Sequence, residues 1–163
     1  MARAGSEEQL RIWYVGPAGI SNTTSPTAAE INAGVDLTGF LTRDGLDTPL
    51  KGNTLDSSDV SSKYNTTAGG TYGGDPITAT FHRDATYASD TAFTTLTRGL
   101  TGYFVVCRFF GAGTGSMTAG KKVEVWPIEI IAREAVKIAK DETQKVMVTC
   151  AVPTTPKLDQ TVA

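Results

Sequence analysis

The stretch GSMTAGKK, from Gly115 to Lys122, is close to a nucleotide-binding motif. A P-loop has the pattern G-x-x-x-x-G-K-[ST], in which backbone N–H groups at a helix start hold the phosphates and the last hydroxyl binds Mg²⁺. Lys122 stands where that hydroxyl is needed, and the next residues, VEVWPIEI, alternate as a strand does. The overlapping glycines Gly111, Gly113 and Gly115 fail as a dinucleotide fingerprint for the same reason. We predict a glycine-rich hairpin connection here.

The single histidine lies in the sequence His82-Arg83-Asp84, in which His82 and Asp84 could form an acid–base pair. Adjacent strand residues point to opposite faces, so His82 and Asp84 can share one face. No Ser or Cys stands in a context where such a base would activate it. We predict that His82 is a strand residue on a polar face.

Close carboxylates and the two cysteines are further candidate sites. Two carboxylate pairs, Asp44 with Asp47 and Asp56 with Asp59, fall in a polar segment and are typical of solvated turns. Cys107 and Cys150 lie in apolar runs, which predicts buried, reduced core residues and no disulfide. With one histidine and no close cysteine pair, a zinc site is not expected. The sequence predicts no catalytic residue, no metal and no cofactor, and therefore no enzyme.

The composition favours a mainly β protein in one domain. The chain has 163 residues, of which 25 are Thr and 17 are Gly. Threonine favours strands and glycine favours turns. The net charge of −2 argues against a protein that grips nucleic-acid phosphates, which requires a basic face. No apolar run approaches the ~20 residues that span a bilayer, and MARAGSEEQL is no secretory signal.

Alternation and turn residues predict about seven strands and one firm helix. Six of these strands are placed at Gln9–Val15, Val35–Leu41, Asp75–Arg83, Gly102–Phe110, Lys121–Ile131 and Lys145–Val152. The helix is expected within Ser89–Leu100, and Pro26 and Thr27 open a single helical turn that Gly34 closes. Pro127 indicates an edge or a bulge, because proline donates no ladder hydrogen bond. The expected fold is two packed antiparallel sheets, a sandwich or distorted barrel, with one short flanking helix.

Three segments fall outside this regular pattern. Thr42–Gly74 has few large apolar residues and is predicted to be a long loop, either a surface flap or a segment that orders on a partner. Arg133–Gln144 is compatible with a helix or a loop. The tail PTTPKLDQTVA, residues 153–163, is predicted to be an extended arm. Residues 1–163 then form one domain with an N-terminal arm over residues 1–9.

The order of these features resembles the major tail tube proteins of siphovirus-type bacteriophages, particularly those of actinobacterial hosts. The match rests on four stretches and their spacing: PTAAEINAGVDLTGFLTRDGL (Pro26–Leu46), DTAFTTLTRGLTGYFVVCRF (Asp90–Phe109), AGKKVEVWPIEI (Ala119–Ile130) and the terminal PTTPKLDQTVA. Residues 133–144 depart from what the family pattern assigns.

The resemblance implies a tail tube fold in which six subunits join their sheets into a ring and rings stack into a hollow tube. It implies a virion protein, assembled in the host cytoplasm, that conducts DNA without binding it specifically. Its partners would be other copies of itself, the tape measure protein, the tail terminator and the baseplate or distal tail proteins, with no membrane.

We expect the lumen to be polar and acidic on balance, so that DNA phosphates do not stick. The candidate lumen residues are Thr78, Thr80, His82, Glu124 and Glu129. The candidate residues of an assembly loop between subunits or rings are Asp44, Asp47, Leu50, Lys51, Leu55, Asp56, Asp59, Lys63 and Tyr64. Both terminal arms are also expected to dock on neighbouring subunits or rings.

Two other functions remain open at this point. A related tail component, such as a tube terminator or a distal tail protein, would form one ring and stop. A ligand-binding β-sandwich would need a cluster of exposed aromatic residues, whereas Trp13, Trp126 and most Phe lie within predicted strands.

Overall fold

Antiparallel strands are the main elements of this computed structural model, which describes residues 9–56, 67–111, 115–137, 140 and 142–163. The strands are β1 Arg11–Val15, β2 Val35–Asp36, β3 Leu41–Asp47, β4 Lys51–Asp56, β5 Thr67–Gly73, β6 Ile77–His82, β7 Thr101–Cys107, β8 Lys122–Ala135, β9 Lys145–Ala151 and β10 Lys157–Thr161. Two short helices, α1 Ala28–Asn32 and α2 Thr91–Thr95, and a 3-10 turn at Thr38–Phe40 complete the described elements.

The long strand β8 belongs to two layers, because its partners change along its length. Its first half pairs with β7 and β10, and its second half pairs with β9 from Glu129 onward. We call β2, β1, β7, the first half of β8 and β10 the five-strand layer; the second half of β8, β9, β6 and β3 form the four-strand layer. Pro127 lies between the last residue paired with β10, Val125, and the first paired with β9, where no ladder donor is needed.

The main core lies between these two layers. Alternate residues of β1 and β7, such as Ile12 and Phe104, join one buried cluster with Phe81 of β6 and Val148 of β9. The opposite face of the five-strand layer is also buried, under Ile31 of α1 and neighbouring loop residues. This double burial explains why β7 reads as a continuous apolar run. The mainly β, antiparallel two-layer fold is therefore confirmed.

Helix α1 is short but firmly capped. Thr27 accepts a hydrogen bond from the Glu30 N–H at 3.2 Å, and Glu30 Oε2 accepts one from the Thr27 N–H at 2.8 Å, which completes a capping box. The same carboxylate accepts from the N–H and hydroxyl of Ser21 at 3.0 and 2.6 Å. The predicted helical turn is confirmed, and Glu30 ties it to the preceding loop.

Substitution Glu30→Ala is expected to lower the free energy of unfolding by about 1 kcal/mol at pH 7, the usual effect of losing a cap. Glu30→Gln, which retains an acceptor oxygen, serves as the matched control and should lose less. The Ser21 hydroxyl and the backbone N–H groups lower the pKa of Glu30 from 4.5 to about 2. Its contribution is therefore present above pH 4.5 and is lost as the pH falls towards 2. Urea unfolding at pH 7 and pH 3 measures this pH dependence. An equal difference in the free energy of unfolding between wild type and Glu30→Ala at both pH values would contradict the lowered pKa.

Helix α2 is held by a charged cluster. Asp90, fully buried, forms an ion pair with Arg83 Nε. The Phe93 ring lies between two guanidinium groups, with Arg83 Cζ 3.6 Å and Arg133 Cζ 3.9 Å from its centroid. Arg133 also donates to the Phe93 carbonyl at 2.6 Å. The helix predicted within Ser89–Leu100 is thus five residues long, with helical hydrogen bonds from the Thr94 N–H to the Asp90 carbonyl and from the Leu96 N–H to the Ala92 carbonyl, both at 3.0 Å.

Several predicted boundaries are wrong. The predicted loop Thr42–Gly74 contains most of β3 and all described residues of the β4–β5 hairpin. The predicted strand Val35–Leu41 shrinks to two residues followed by the 3-10 turn. Residues Arg133–Ala135 continue β8, which rules out a helix there. The tail, predicted to be an arm, contains β10, which pairs with β8 of its own chain.

The prediction of two buried, unpaired cysteines is confirmed for Cys107 and Cys150. Burial raises the pKa of Cys150 to about 12, and it also raises the pKa of Cys107. Both thiols are therefore inert at neutral pH. No helix of the described residues is long and apolar enough to cross a membrane.

Candidate functional site

One face of the four-strand layer is polar and lies outside the core. On β6 the residues that alternate with the core are Thr78, Thr80 and His82, which pair with Thr149, Met147 and Lys145 of β9. We call this surface the polar face. Its members from the four strands are Asp47, Thr78, Thr80, His82, Glu129, Ala132, Glu134, Lys145, Met147, Thr149 and Ala151.

The polar face includes four of the five candidate lumen residues. Glu129 pairs with Ala151 and therefore lies on the same face as Thr149 and Thr78. Glu124 does not belong there. Its pairing with Val106 continues an unbroken register from Glu129, and the two glutamates are five positions apart, so they point to opposite sides of β8. The grouping of Glu124 with Glu129 on one strand face is wrong.

Glu124 instead forms a local network at the end of β7. Arg108 Nε and Nη2 donate to its two carboxylate oxygens at 2.6 and 3.1 Å, and Trp126 Nε1 donates to Oε2 at 3.0 Å. Arg108 also donates to Thr48 Oγ1 at 2.9 Å, between β3 and β4. This network ties the base of the hairpin to the five-strand layer.

The four-strand layer has two strand edges without a partner among the described residues. Strand β3 pairs with β6 on one side alone in that part of the chain. Residues 131–135 of β8 pair with β9 on one side, and the pairing with β7 ends at Glu129. We call these the open edges. Unpaired N–H and C=O groups on such edges are ready to accept another strand.

The β4–β5 hairpin is exposed along nearly all of its residues whose burial is described. The side chains of Leu55 and Tyr72 are 59% and 58% exposed, and their pairing partners Ala68 and Gly52 are exposed as well. A two-stranded hairpin without a core of its own is only marginally stable in water. An exposed hairpin of this kind is typical of a segment that a binding partner covers.

A cavity of about 260 Å³ lies at the base of the hairpin. It is lined by Leu50, Tyr72 and Trp126 together with the turn Pro153–Pro156 that leads into β10. The lining mixes apolar rings with backbone. In the described residues no group of three or more His, Cys, Asp or Glu side chains could hold a metal ion.

The candidate assembly residues are spread over three settings. Asp44 and Asp47 are exposed on the open edge β3. Leu50 packs against the core, and Lys51 forms an ion pair with Asp75. Leu55 and Asp56 end β4. Asp59, Lys63 and Tyr64 lie outside the described residues, as do residues 1–8 of the predicted N-terminal arm.

The connection GSMTAGKK contacts protein groups on both of its lysines. Lys121 Nζ donates to the Phe110 carbonyl at 2.7 Å, and Lys122 Nζ donates to the Asp159 carbonyl at 3.3 Å. Strand β8 begins at Lys122, so strand and not helix follows the glycines. The prediction of a connection between two strands is confirmed; residues 112–114, which precede this stretch, lie outside the described residues.

Sequence reasoning missed part of the polar face and one open edge. Lys145, Met147 and Thr149 lie on predicted strand β9, and alternation with Val146 and Val148 was sufficient to place them. Glu134 was missed because the segment after Ile131 was left open between helix and loop. The continued small and charged residues REA carry no apolar alternation to identify a strand.

The described residues thus form a two-layer antiparallel β protein with a polar sheet face, two open edges and an exposed hairpin. A family model described as "Phage tail tube protein" matches residues 6–163. The chain belongs to the phage tail tube protein family, and it is a structural protein of a phage tail.

A solved structure supports the fold. The chain is similar to a chain in the cryo-EM structure of the anti-feeding prophage (AFP) baseplate, 6-fold symmetrised, with 8% identity and a TM-score of 0.57. The alignment covers 98% of both chains. At this identity the similarity concerns the fold alone. No curated protein matches the sequence.

Proposed function

We propose that copies of this protein join through the open edges into rings, which stack into the hollow tube that conducts phage DNA into the host. The observation that carries the proposal is the four-strand layer with an open edge on each side. The two edges differ in sequence, so each would pair with the other kind on a neighbour. Such a head-to-tail contact closes into a ring when the rotation fits.

The strand directions are compatible with this closure. Along the four-strand layer each neighbour is antiparallel, so β3 runs opposite to β8. Rotation about a ring axis preserves the direction of each strand. Strand β3 of one copy would therefore meet β8 of the next in antiparallel orientation, and the joined layers form one continuous antiparallel barrel.

The size of that barrel fits a DNA conduit. The baseplate chain of similar fold comes from a six-fold assembly, and we adopt six copies here. Four strands from each copy, spaced ~4.8 Å apart and tilted ~40°, give a barrel roughly 48 Å across between Cα atoms. After side chains of roughly 6 Å on each wall, the opening exceeds the roughly 20 Å width of a DNA duplex.

We further propose that the polar face lines the lumen. It carries the carboxylates Asp47, Glu129 and Glu134, while Lys145 Nζ lies 3.7 Å from the Glu142 carboxylate, which offsets its charge. A surface of threonines with a small acidic excess repels phosphates and lets DNA slide. In this proposal the lumen residues named from the sequence are kept, except Glu124.

The exposed hairpin is proposed to contact the neighbouring subunit or the adjacent ring, together with the N-terminal segment Met1–Gln9. The C-terminal residues do not need a neighbour, because β10 pairs with β8 and the Ala163 N–H donates to the Pro26 carbonyl at 3.0 Å. The tape measure protein, the terminator and the baseplate or distal tail proteins are the proposed partners in a siphovirus-type tail assembled in the host cytoplasm.

Negative-stain electron microscopy of the purified protein tests the proposal. We expect regular tubes with a central channel that lengthen with protein concentration. Single rings that never stack would instead identify a tube terminator or distal tail protein. A monomer at high concentration would refute self-assembly and leave a ligand-binding sandwich as the alternative.

A further inference from the structure

We propose that Tyr87 of one copy inserts its ring into the cavity at the base of the hairpin of a copy in the next ring of the tube. The inference rests on the stacked rings of the proposed function. It adds which side chain holds one ring on the next and where that side chain binds. The partner is a second copy of this chain.

The cavity and Tyr87 lie at opposite ends of the four-strand layer. Strand β6 begins at Ile77, beside the end of β9, and ends at His82, beside the start of β9. The hairpin precedes β6 and the turn Pro153–Pro156 follows β9, so the cavity lies at this end, which we call the hairpin end. Tyr87 follows β6 and lies at the other end, which we call the loop end. Rings that stack head to tail bring the loop end of one copy to the hairpin end of another.

The cavity and Tyr87 also lie on the same side of the four-strand layer. Trp126 of the cavity belongs to the core cluster between the two layers, and Leu50 packs against this cluster. At the loop end Phe93 packs against the same cluster, and the Tyr87 ring meets Phe93 edge-on, with 6.2 Å between the ring centroids. Both features are therefore on the side of the layer away from the polar face. In a tube lined by the polar face they lie at a similar distance from the axis, so stacking brings them together.

Tyr87 has the properties of an interface anchor. Its side chain is 70% exposed, more than any other large apolar side chain of the described residues. Its contact with Phe93, which lies between two guanidinium groups, fixes the ring at the loop end. An aromatic ring that is already held in place loses little conformational freedom on binding, and tyrosine is enriched among the residues that dominate interface energies.

The cavity suits one aromatic side chain. Its volume of about 260 Å³ is below the roughly 300–1,000 Å³ of typical small-molecule sites. Trp126 and Tyr72 offer apolar surface, and Tyr72 is itself 58% exposed, so an inserted ring would cover it. A buried tyrosine hydroxyl needs a hydrogen-bond partner, and Thr154 and Thr155 of the lining carry suitable hydroxyl groups.

Substitution Tyr87→Ala is expected to give folded rings that do not stack at the wild-type concentration. Truncating an anchor residue should raise the protein concentration needed for tubes at least about tenfold, and the loss is repeated for every copy in a ring. The matched control Tyr87→Phe keeps the ring and should still form tubes. Electron microscopy and sedimentation velocity measure stacking, and thermal melting of the dispersed protein checks that folding is unchanged. Tubes from Tyr87→Ala at the wild-type concentration would overturn the inference.

A substitution that fills the cavity tests the other half of the contact. Gly73 lines the cavity, and a Cβ there would meet no atom within 4 Å, so Gly73→Leu adds a side chain without a clash at its Cβ. The matched control is Gly52→Leu on the same hairpin, where a Cβ also meets no atom within 4 Å and which is not part of the lining. We expect Gly73→Leu to stop stacking and Gly52→Leu to form tubes. Equal behaviour of the two variants would contradict insertion into the cavity.

A disulfide trap identifies the occupant of the cavity. Ala88 adjoins Tyr87 and Thr155 is exposed at the cavity, so tubes of Ala88→Cys/Thr155→Cys should give crosslinked multimers after oxidation. Cys107 and Cys150 are buried and remain in the variant. The comparison variant Leu55→Cys/Thr155→Cys tests the hairpin of another copy as the occupant. Crosslinks from the comparison variant alone would assign the cavity to that hairpin and overturn the inference.

The outcomes separate this inference from the proposed function. Wild-type tubes together with equally stable Tyr87→Ala tubes would overturn the Tyr87 contact and leave the stacked rings in place. Wild-type protein that forms no tubes at any concentration would refute the proposed function together with this contact.

Discussion

Replacing residues 51–73 by a short glycine-rich turn is expected to give a folded monomer that no longer forms tubes. The hairpin β4–β5 projects from the fold, and its described side chains are exposed, so the core loses little. A short turn can join residue 50 to residue 74, because the backbone on the two sides of the removed hairpin is close together. A Cβ on Gly74 would stand 2.6 Å from the Pro49 carbonyl oxygen.

Circular dichroism, thermal melting and electron microscopy check this prediction. We expect a melting temperature close to that of dispersed wild-type protein and no tubes at any concentration. The matched control is Leu55→Ser, which retains the hairpin and removes one exposed apolar side chain. It should weaken assembly without abolishing it. Normal tubes from the hairpin-less protein would refute the role of the hairpin.

Substitution Arg83→Ala is expected to lower the free energy of unfolding by roughly 3–5 kcal/mol, because it leaves a buried carboxylate without its cation. Asp90 is fully buried, and its Oδ1 has no hydrogen-bond partner within the described structure. Arg83 is then its counter-ion. The same change removes one of the two guanidinium groups that enclose Phe93.

Urea unfolding in the hairpin-less monomer measures this effect without interference from assembly. The double variant Arg83→Met/Asp90→Asn is the control, since it removes both charges and keeps similar volumes. It should recover a large part of the loss. A loss for Arg83→Ala below about 1 kcal/mol, the range of surface pairs, would show that the pair is effectively solvated.

The strands that bury one face were predictable because burial leaves a period of two. Ile77, Ala79 and Phe81 on β6 and Val146, Val148 and Cys150 on β9 alternate with polar residues, and both strands were placed within two residues. The turn at Thr27 was predictable for a local reason, since Pro26 and Thr27 suit a helix start and Gly34 suits its end.

The strands that bury little were not predictable in this way. Strand β5 reads TAGGTYG and β4 reads KGNTLD, and neither shows apolar alternation because neither packs on a core. The two strands are held by pairing with each other, and this pairing requires no apolar alternation in the sequence of either strand. Strand β10 was missed for the same reason, since Lys157–Thr161 is largely exposed and Pro153 and Pro156 indicated an unpaired tail.

The polar face of β6 follows from its alternation, whereas the grouping of the two glutamates of β8 on one face was wrong. A strand over Lys121–Ile131 was predicted correctly, yet Glu124 and Glu129 were grouped although they are an odd number of positions apart. Counting along the strand was sufficient to separate them. The open edges, by contrast, follow only from the order of strands in the sheet, which requires long-range pairing such as that of β6 with β9.

The even number of strands in the four-strand layer constrains how such a tube can change in bore. If the rings close edge to edge as proposed, one added strand per copy would reverse the direction of one edge strand relative to the other. Every junction between copies would then be parallel. Two added strands restore the antiparallel junction. The smallest heritable increment in lumen width is therefore a whole hairpin per copy, roughly 24 Å in diameter for six copies. Point mutations and short insertions tune the lining, and the bore stays fixed.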